Sequence, residues 1–446
     1  MESLLDWRLS DKSRLMRPRK AACVRKAQNR KASGSRKAAP PSKARLLASE
    51  IFLAKTFKIY YCYLASSSRP RTGDHLKNSC EKGSSMKLSL LCVAVVSCIA
   101  AGLMPPAGAV EPAAPAPVAY RGGNSASEPM IEKFSLARAA SFLDTAALGW
   151  QKKRRCVACH TDAAYLMTPP MTGSRPQAYR EVRKFTEKLV NERWAKKGPR
   201  WDAEVIVAAA ALAASDAGTN GKLHPTTRKA LDRMWTVQRK DGGWNWLKCD
   251  WPPMESDDHY GATLAAIAAG VAPESYAKTE KAQAGLKNIR RYLAANPPPA
   301  PHHKGMILWA DSLCGDLADA RQRKAWIAEL ASLQKADGGW ALATLGKWKR
   351  GDGKTQDTTN SDGYGTGFVI YVLRRAGVPA SDPRLKRGIA WLKSNQRASG
   401  RWFTRSLYKD NKHYISHAAT AMAIMAIDAG ENVKTATDGG KQTSQK

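Results

Sequence analysis

The chain has 446 residues, 43% of them hydrophobic, and a formal net charge of +34 at pH 7. That is ample for a sizeable core in one large domain or a few ordinary ones. The charge does not point to nucleic acid. Residues 1–85 carry +14 and residues 110–446 carry +19, and in the latter the basic residues are spread along amphipathic segments with no runs. Such a pattern makes a solvated basic surface, or one drawn to an anionic membrane as a peripheral partner.

Residues 1–85 are basic, of low complexity and without sustained periodicity. Met86 then opens MKLSLLCVAVVSCIAAGLMPPAGA, with Lys87, an apolar run from Leu88 to Met104 and a small-x-small site at Ala107-Gly108-Ala109. This is the anatomy of a secretory signal peptide, which belongs at an N-terminus. Translation is therefore expected to start at Met86, with residues 1–85 upstream of the true start. Residues 86–109 would be the signal, and the product would be exported to the periplasm or cell envelope. A signal anchor is the alternative, and lipidation at Cys98 within VVSC is another. Residues 110–130 form a linker, residues 131–432 the main body and residues 433–446 a polar tail.

The body begins with an amphipathic helix over 134–149, followed by CVACH. Cys156, Cys159 and His160 have the spacing of covalent haem c attachment, with two thioethers and an axial imidazole on iron. His160 is then the metal ligand, and Met167, Met171, His413 and His417 are candidates for the sixth position. Export agrees with this, because c-type maturation happens outside the cytoplasm, and a haem implies a redox partner protein. A Cys156–Cys159 disulfide, or zinc held with His160, remains open.

Beyond CVACH, a short buried helix is expected near 160–171. Amphipathic helices follow at about 177–196, 224–239, 275–294, 318–335 and 381–397. Between them lie segments that are apolar on nearly every face, such as AEVIVAAAALAASDAG and GATLAAIAAG, and these should be buried helices. Ala217-Gly218, Ala269-Gly270, Ala376-Gly377 and Ala429-Gly430 end four of them, in steps of 52, 107 and 53 residues. The double step hides a degenerate copy at 303–316. A fixed period of helix pairs means stacked hairpins. Six pairs of about 53 residues, in strict alternation, predict an all-α protein folded as an α6/α6 toroid with the buried helices inside.

Three outer helices end in one signature, Gln-x3-Gly-x-Trp: Gln238, Gly242 and Trp244; Gln334, Gly338 and Trp340; Gln396, Gly400 and Trp402. Glycine supplies the positive φ that ends a helix. The tryptophan can bury its face between layers with its N–H bonded locally.

The last copy, RGIAWLKSNQRASGRW, resembles the QW motif of squalene–hopene cyclases and their triterpene-cyclase relatives. The likeness covers about residues 134–432 and extends to the toroid superfamily, including protein prenyltransferase β subunits. It implies a terpenoid-cyclase-like toroid that takes an apolar, isoprenoid-like small molecule. In that family an Asp-x-Asp-Asp motif starts an inner helix, and its middle Asp protonates a polyene. ESDDHYGATLAAIA sits in the matching place. By this resemblance Glu255, Asp257 and Asp258 are the first, middle and last acids. The first is Glu here, and the chain has room for one α/α domain where those cyclases have two. The prenyltransferases bind zinc through Asp, Cys and His, for which Asp250, Cys249 and His417 are the residues on offer.

A ring of hairpins also gathers the inner-helix N-termini at one mouth. The residues brought there should be His160, Asp162, Asp202, Glu255, Asp257, Asp258, His302, His303, Asp362, His413 and His417, with Trp246, Trp251, Tyr260, Tyr364 and Tyr414 beside them. Like-charge crowding and partial desolvation would keep Asp257 protonated as an acid. The enzymatic expectation is therefore cyclase-like isomerisation or haem-linked oxidoreduction, with the ligand in the toroid cavity. The non-catalytic expectation is an envelope cytochrome or binding scaffold. Phosphate-binding glycine loops, Ser/His/Asp signatures and nucleic-acid modules are not evident.

Overall fold

The computed structural model describes residues 124–170, 176–249, 251–410 and 413–431. The expected signal peptide, Cys98, the basic segment 1–85, the polar tail, Met171 and Asp250 lie outside the described residues.

Outer and inner helices alternate along the chain. The outer set comprises α1 (Leu136–Arg154), α3 (Pro176–Lys188), α6 (Pro225–Thr236), α8 (Glu280–Ala295), α10 (Ala320–Ser332) and α12 (Pro383–Ser394). The inner set comprises α2 (Ala164–Met167), α5 (Asp202–Thr219), α7 (Asp258–Val271), α9 (Pro301–Cys314), α11 (Gly363–Arg375) and α13 (Ile415–Glu431). A short α4 (Trp194–Lys197) prolongs α3 through a π-turn at Leu189–Arg193. Each inner helix packs on the next, and α13 packs back onto α2, so the ring closes. The all-α toroid of six hairpins is thereby observed. The degenerate copy is α9, which starts with Pro301 in its first turn, where a missing N–H costs nothing.

Two boundaries differ from the sequence reading. The first inner helix is a π-turn at Cys159–Ala163 followed by the single turn α2. It stops at Thr168 because Pro169 and Pro170 cannot continue it. The second outer helix carries the π-turn within its length. No helix among the described residues is long and apolar enough to cross a membrane.

Inner helices α5, α7 and α13 are clad in alanine, so they approach their neighbours closely. In α5 every residue from Ala203 to Ala213 is buried. Gly367 of α11 lies directly on α13, where an added Cβ would sit 2.6 Å from the Ala423 nitrogen.

The repeated signature staples this arrangement in three places. Trp244, Trp340 and Trp402 are fully buried. Each indole N–H donates to a carbonyl ten residues back, on Met234 (3.1 Å), Leu330 (2.9 Å) and Leu392 (2.7 Å). Gln238 donates to Gly242 O and Gly285 O, and Gln334 donates to Gly338 O and Arg384 O. Each glutamine thus ties its own turn to the following outer helix. Gln396 does the same across the chain ends, donating to Gly400 O and Ser135 O while accepting from Ser135 N. A buried Glu128–Arg401 ion pair backs this closure.

Gly400 has φ 93°, and a Cβ on it would lie 2.3 Å from Arg138 O in the first hairpin. Gly377 has φ 92° but open space around it. Gly400→Ala should therefore cost about 2–4 kcal/mol. Gly377→Ala should cost only the backbone strain, about 1–2 kcal/mol. Urea unfolding of both variants measures the difference, and equal losses would remove the closure argument.

Candidate functional site

The inner-helix starts do gather at one mouth, and the structure sorts the candidate residues there into three groups.

The first, the axial group, gathers at the starts of α7, α9 and α11. Asp257 caps α7, its Oδ1 accepting from Tyr260 N at 3.1 Å. Its Oδ2 is 3.0 Å from His303 Nε2 and accepts from the Ser256 hydroxyl at 3.0 Å. The His303 ring meets His259 edge-on at 5.0 Å. His259 is buried, and neither of its ring nitrogens has a partner. His302 stacks on Phe368 at 4.5 Å and lies 3.2 Å from the Tyr364 hydroxyl. Glu255 is held by a backbone bridge to Trp251, and the Cys159 thiol donates to its Oε1 at 3.5 Å. Trp246 walls this group, packed on Tyr260 at 5.7 Å. Gly261 makes room for it, since a Cβ there would lie 2.5 Å from the indole.

The electrostatics overturn the acid expected from the sequence. Burial pushes the Asp257 carboxyl up, but the His303 imidazole, the Tyr260 N–H and the Ser256 hydroxyl outweigh it and hold it down at about 2. Asp257 is therefore ionised, not protonated. Asp258 does not crowd it, because Asp258 turns away to Arg239 at 2.7 Å and Lys248 at 3.4 Å. The carboxyl pushed up, by burial, is Glu255, with only the Cys159 thiol opposing the shift. Burial lowers His259 to about 4 and takes His302 well below its usual value.

The second group surrounds the CVACH turn. The Thr161 hydroxyl lies 2.7 Å from His160 Nδ1 and 2.9 Å from His417 Nδ1. The His160 ring stacks on Tyr414 at 5.6 Å and meets the edge of Trp150 at 4.7 Å. Burial lowers His160 to about 4 and His417 to about 3, so both are neutral. It also raises the Cys156 thiol, and the Cys159 thiol well above its usual value. His413 stands apart, accepting from Ser406 N at 2.9 Å and packing on Phe403.

Cys156 and Cys159 are free thiols and not a disulfide. They are of the kind that would form thioethers to a covalent haem, and with Thr161 on His160 Nδ1, His160 Nε2 would be the nitrogen free to coordinate it. Among the described residues no three His, Cys, Asp or Glu side chains converge to hold a metal ion such as zinc.

The third group leaves the axis. Asp362 caps α11 and accepts from Gly365 N, Leu342 N and the Thr404 hydroxyl. Burial pushes it up to about 6, and it faces a cleft between the fifth and sixth hairpins. Asp202 accepts from Asn245 N at 3.1 Å, away from Asp257.

Trp150 and the Cys159–Glu255 contact were not foreseen from the sequence. Trp150 sits on an outer helix whose inward face has no marked pattern. Cys159 and Glu255 are 96 residues apart, and no local motif links them.

No protein-family model and no curated protein matches the sequence. Among solved structures, the chain is similar to the ent-copalyl diphosphate synthase from Streptomyces platensis (16% identity, TM-score 0.39, covering 66% of this chain and 50% of that one). It is also similar to the type II terpene cyclase MstE from Scytonema (12% identity, TM-score 0.40, 65% of this chain and 97% of that one). A third is the polysaccharide lyase BACCELL_00875 (11% identity, TM-score 0.41, 65% and 96%). The chain thus spans half the length of the diphosphate synthase. The ring architecture rests on the helix packing described above.

Asp162, in the π-turn, is fully buried. Its Oδ2 accepts from Ala158 N and its Oδ1 has no partner, and burial pushes the carboxyl up to about 8. A carboxyl with a raised folded pKa binds a proton that the unfolded chain has released, so stability falls as pH rises from about 4 to about 8. Asp162→Asn should flatten this dependence, gaining on the order of a few kcal/mol at pH 8 relative to pH 5. Chemical denaturation at the two pH values measures it. An unchanged slope would mean that Asp162 is ionised in the fold.

Proposed function

We propose that the axial group is a proton-transfer site acting on an apolar, isoprenoid-like ligand, with cyclase-like isomerisation as its chemistry. The observation that carries this reading is the opposite displacement of two carboxyls at one mouth. Glu255 is pushed up by burial and Asp257 is held down at about 2 despite its burial. Carboxyls whose environments drive them apart divide into acid and base.

Glu255 donates its proton to a terminal carbon–carbon double bond. The π pair forms the new C–H bond, a tertiary cation develops and Glu255 is left as carboxylate. A neighbouring double bond of the ligand supplies the pair that closes the ring. A C–H proton of the last cation then passes to Asp257, whose bond to His303 keeps it anionic until that moment. Asp257 then releases this proton to solvent and Glu255 takes one up, so both carboxyls are restored and product and substrate are isomers. Trp246, Tyr260 and Tyr364 stabilise the cations through their ring faces. The basic surface of residues 110–446 supports peripheral attachment to an anionic membrane, from which such a ligand would be drawn.

The test is turnover of a geranylgeranyl-type polyene by the full chain in D2O. The expected product is an isomer carrying one deuterium. Glu255→Gln should lower the rate by about 10^2–10^4-fold. Asp257→Asn should lower it too, and the rate should fall as pH rises past the raised Glu255 value. A full chain that converts no polyene sinks the reading.

A second reading rests on the free Cys156 and Cys159 thiols beside His160. These three residues would hold a covalent haem, which when bound supplies one-electron transfer to a redox partner protein. Export through the segment opening at Met86 would bring the chain to the haem-maturation machinery. The protein exported from a host with that machinery should show a Soret band and one haem's extra mass, both lost in a Cys156→Ala, Cys159→Ala variant. A colourless protein at the bare polypeptide mass would end this reading.

A further inference from the structure

Asp362 opens onto a cleft that neither reading uses. It lies between the fifth and sixth hairpins and has a volume of about 300 Å³. Trp391 of α12 and Phe403 give it half-buried aromatic surface. The Trp391 ring is fixed, because its N–H donates to Asp337 Oδ2 at 2.9 Å while the Ser361 hydroxyl donates to Oδ1 at 2.7 Å. Around the aromatic wall stand carboxylates (Asp337, Asp357), a guanidinium (Arg397) and the amide of Asn360. Arg397 donates one Nη to Glu128 O, yet its Nε is buried without a partner. A guanidinium lining a cleft favours a ligand that brings an acceptor.

This mixture excludes several occupants. An apolar polyene would desolvate these groups without pairing them. A simple anion would meet the carboxylates and a simple cation the guanidinium. A polyhydroxylated ring suits both, since each hydroxyl donates and accepts. Its C–H face also lies well against an indole.

We propose that this cleft binds one ring of a neutral saccharide, as a site separate from the axial proton-transfer group. Trp391 provides the stacking wall, Asp357 and Asn360 accept from and donate to the hydroxyls, and the Arg397 guanidinium donates to a ring or hydroxyl oxygen.

The test is calorimetric titration of the full chain with cellobiose, maltose and N,N′-diacetylchitobiose, beside glycine betaine and acetate as cationic-headed and anionic controls. At least one disaccharide should bind. Trp391→Ala should weaken it about 10-fold or more, and Asn360→Ala, an exposed change that spares the fold, should weaken it measurably. Asp257→Asn should leave it unchanged. Binding of only betaine or acetate overturns the proposal. So does the absence of disaccharide binding, or binding that both cleft variants leave intact.

Discussion

Everything in this protein depends on a tryptophan N–H bonded to a carbonyl ten residues earlier. That bond, made by Trp244, Trp340 and Trp402, folds the end of an outer helix back on itself and buries an indole completely. The glutamine of the same motif then reaches the next outer helix. Neighbouring hairpins are held at a fixed spacing, and a fixed spacing over six hairpins closes a ring. Closure itself falls to Gln396, which treats Ser135 as its next helix although the two are 261 residues apart in sequence. Alanine on the inner helices does the complementary work, allowing close approach where bulkier side chains would splay the ring.

Ring closure brings chemistry from distant repeats to one mouth. His303 from the fourth hairpin faces Asp257 from the third, and Cys159 from the first faces Glu255. Burial alone pushes both carboxyls up. What separates them is the partner, an imidazole with a backbone N–H and a hydroxyl for Asp257, a poorly donating thiol for Glu255. The same mouth carries a second imidazole pair, His160 and His417, joined by a single threonine hydroxyl and kept neutral by burial. A site with neutral imidazoles, one carboxyl held down and one pushed up by burial suits moving protons to and from a ligand that carries no charge of its own.

The period of about 53 residues, the alternation of alanine-rich and charged helices and the Gln-Gly-Trp signature were legible in the sequence because each is local or repeats. The position of Asp257 at an inner-helix start was legible for the same reason, as was the degenerate fourth inner helix. The π-turn at Cys159–Ala163 was not, because the apolar pattern of CHTDAAYLM fits an ordinary helix as well. The direction taken by Asp258 was not legible for a related reason. Adjacent acids look crowded in a string of letters, whereas Asp257 is the helix cap and Asp258 begins the helix, so their side chains leave in different directions.

The sequence by itself determined that this chain makes a ring of six helical hairpins, that three staples hold it and that acids, histidines and aromatics meet at one end. Only the tertiary structure decided which carboxyl is pushed up and which is held down, which side chain each acid meets and that Asp362 opens onto a cleft between two hairpins. The physical reason is that a titration depends on the water removed from a group and on the charges and donors placed within a few ångströms of it. In a closed ring those neighbours come from other repeats, and no local stretch of sequence specifies them.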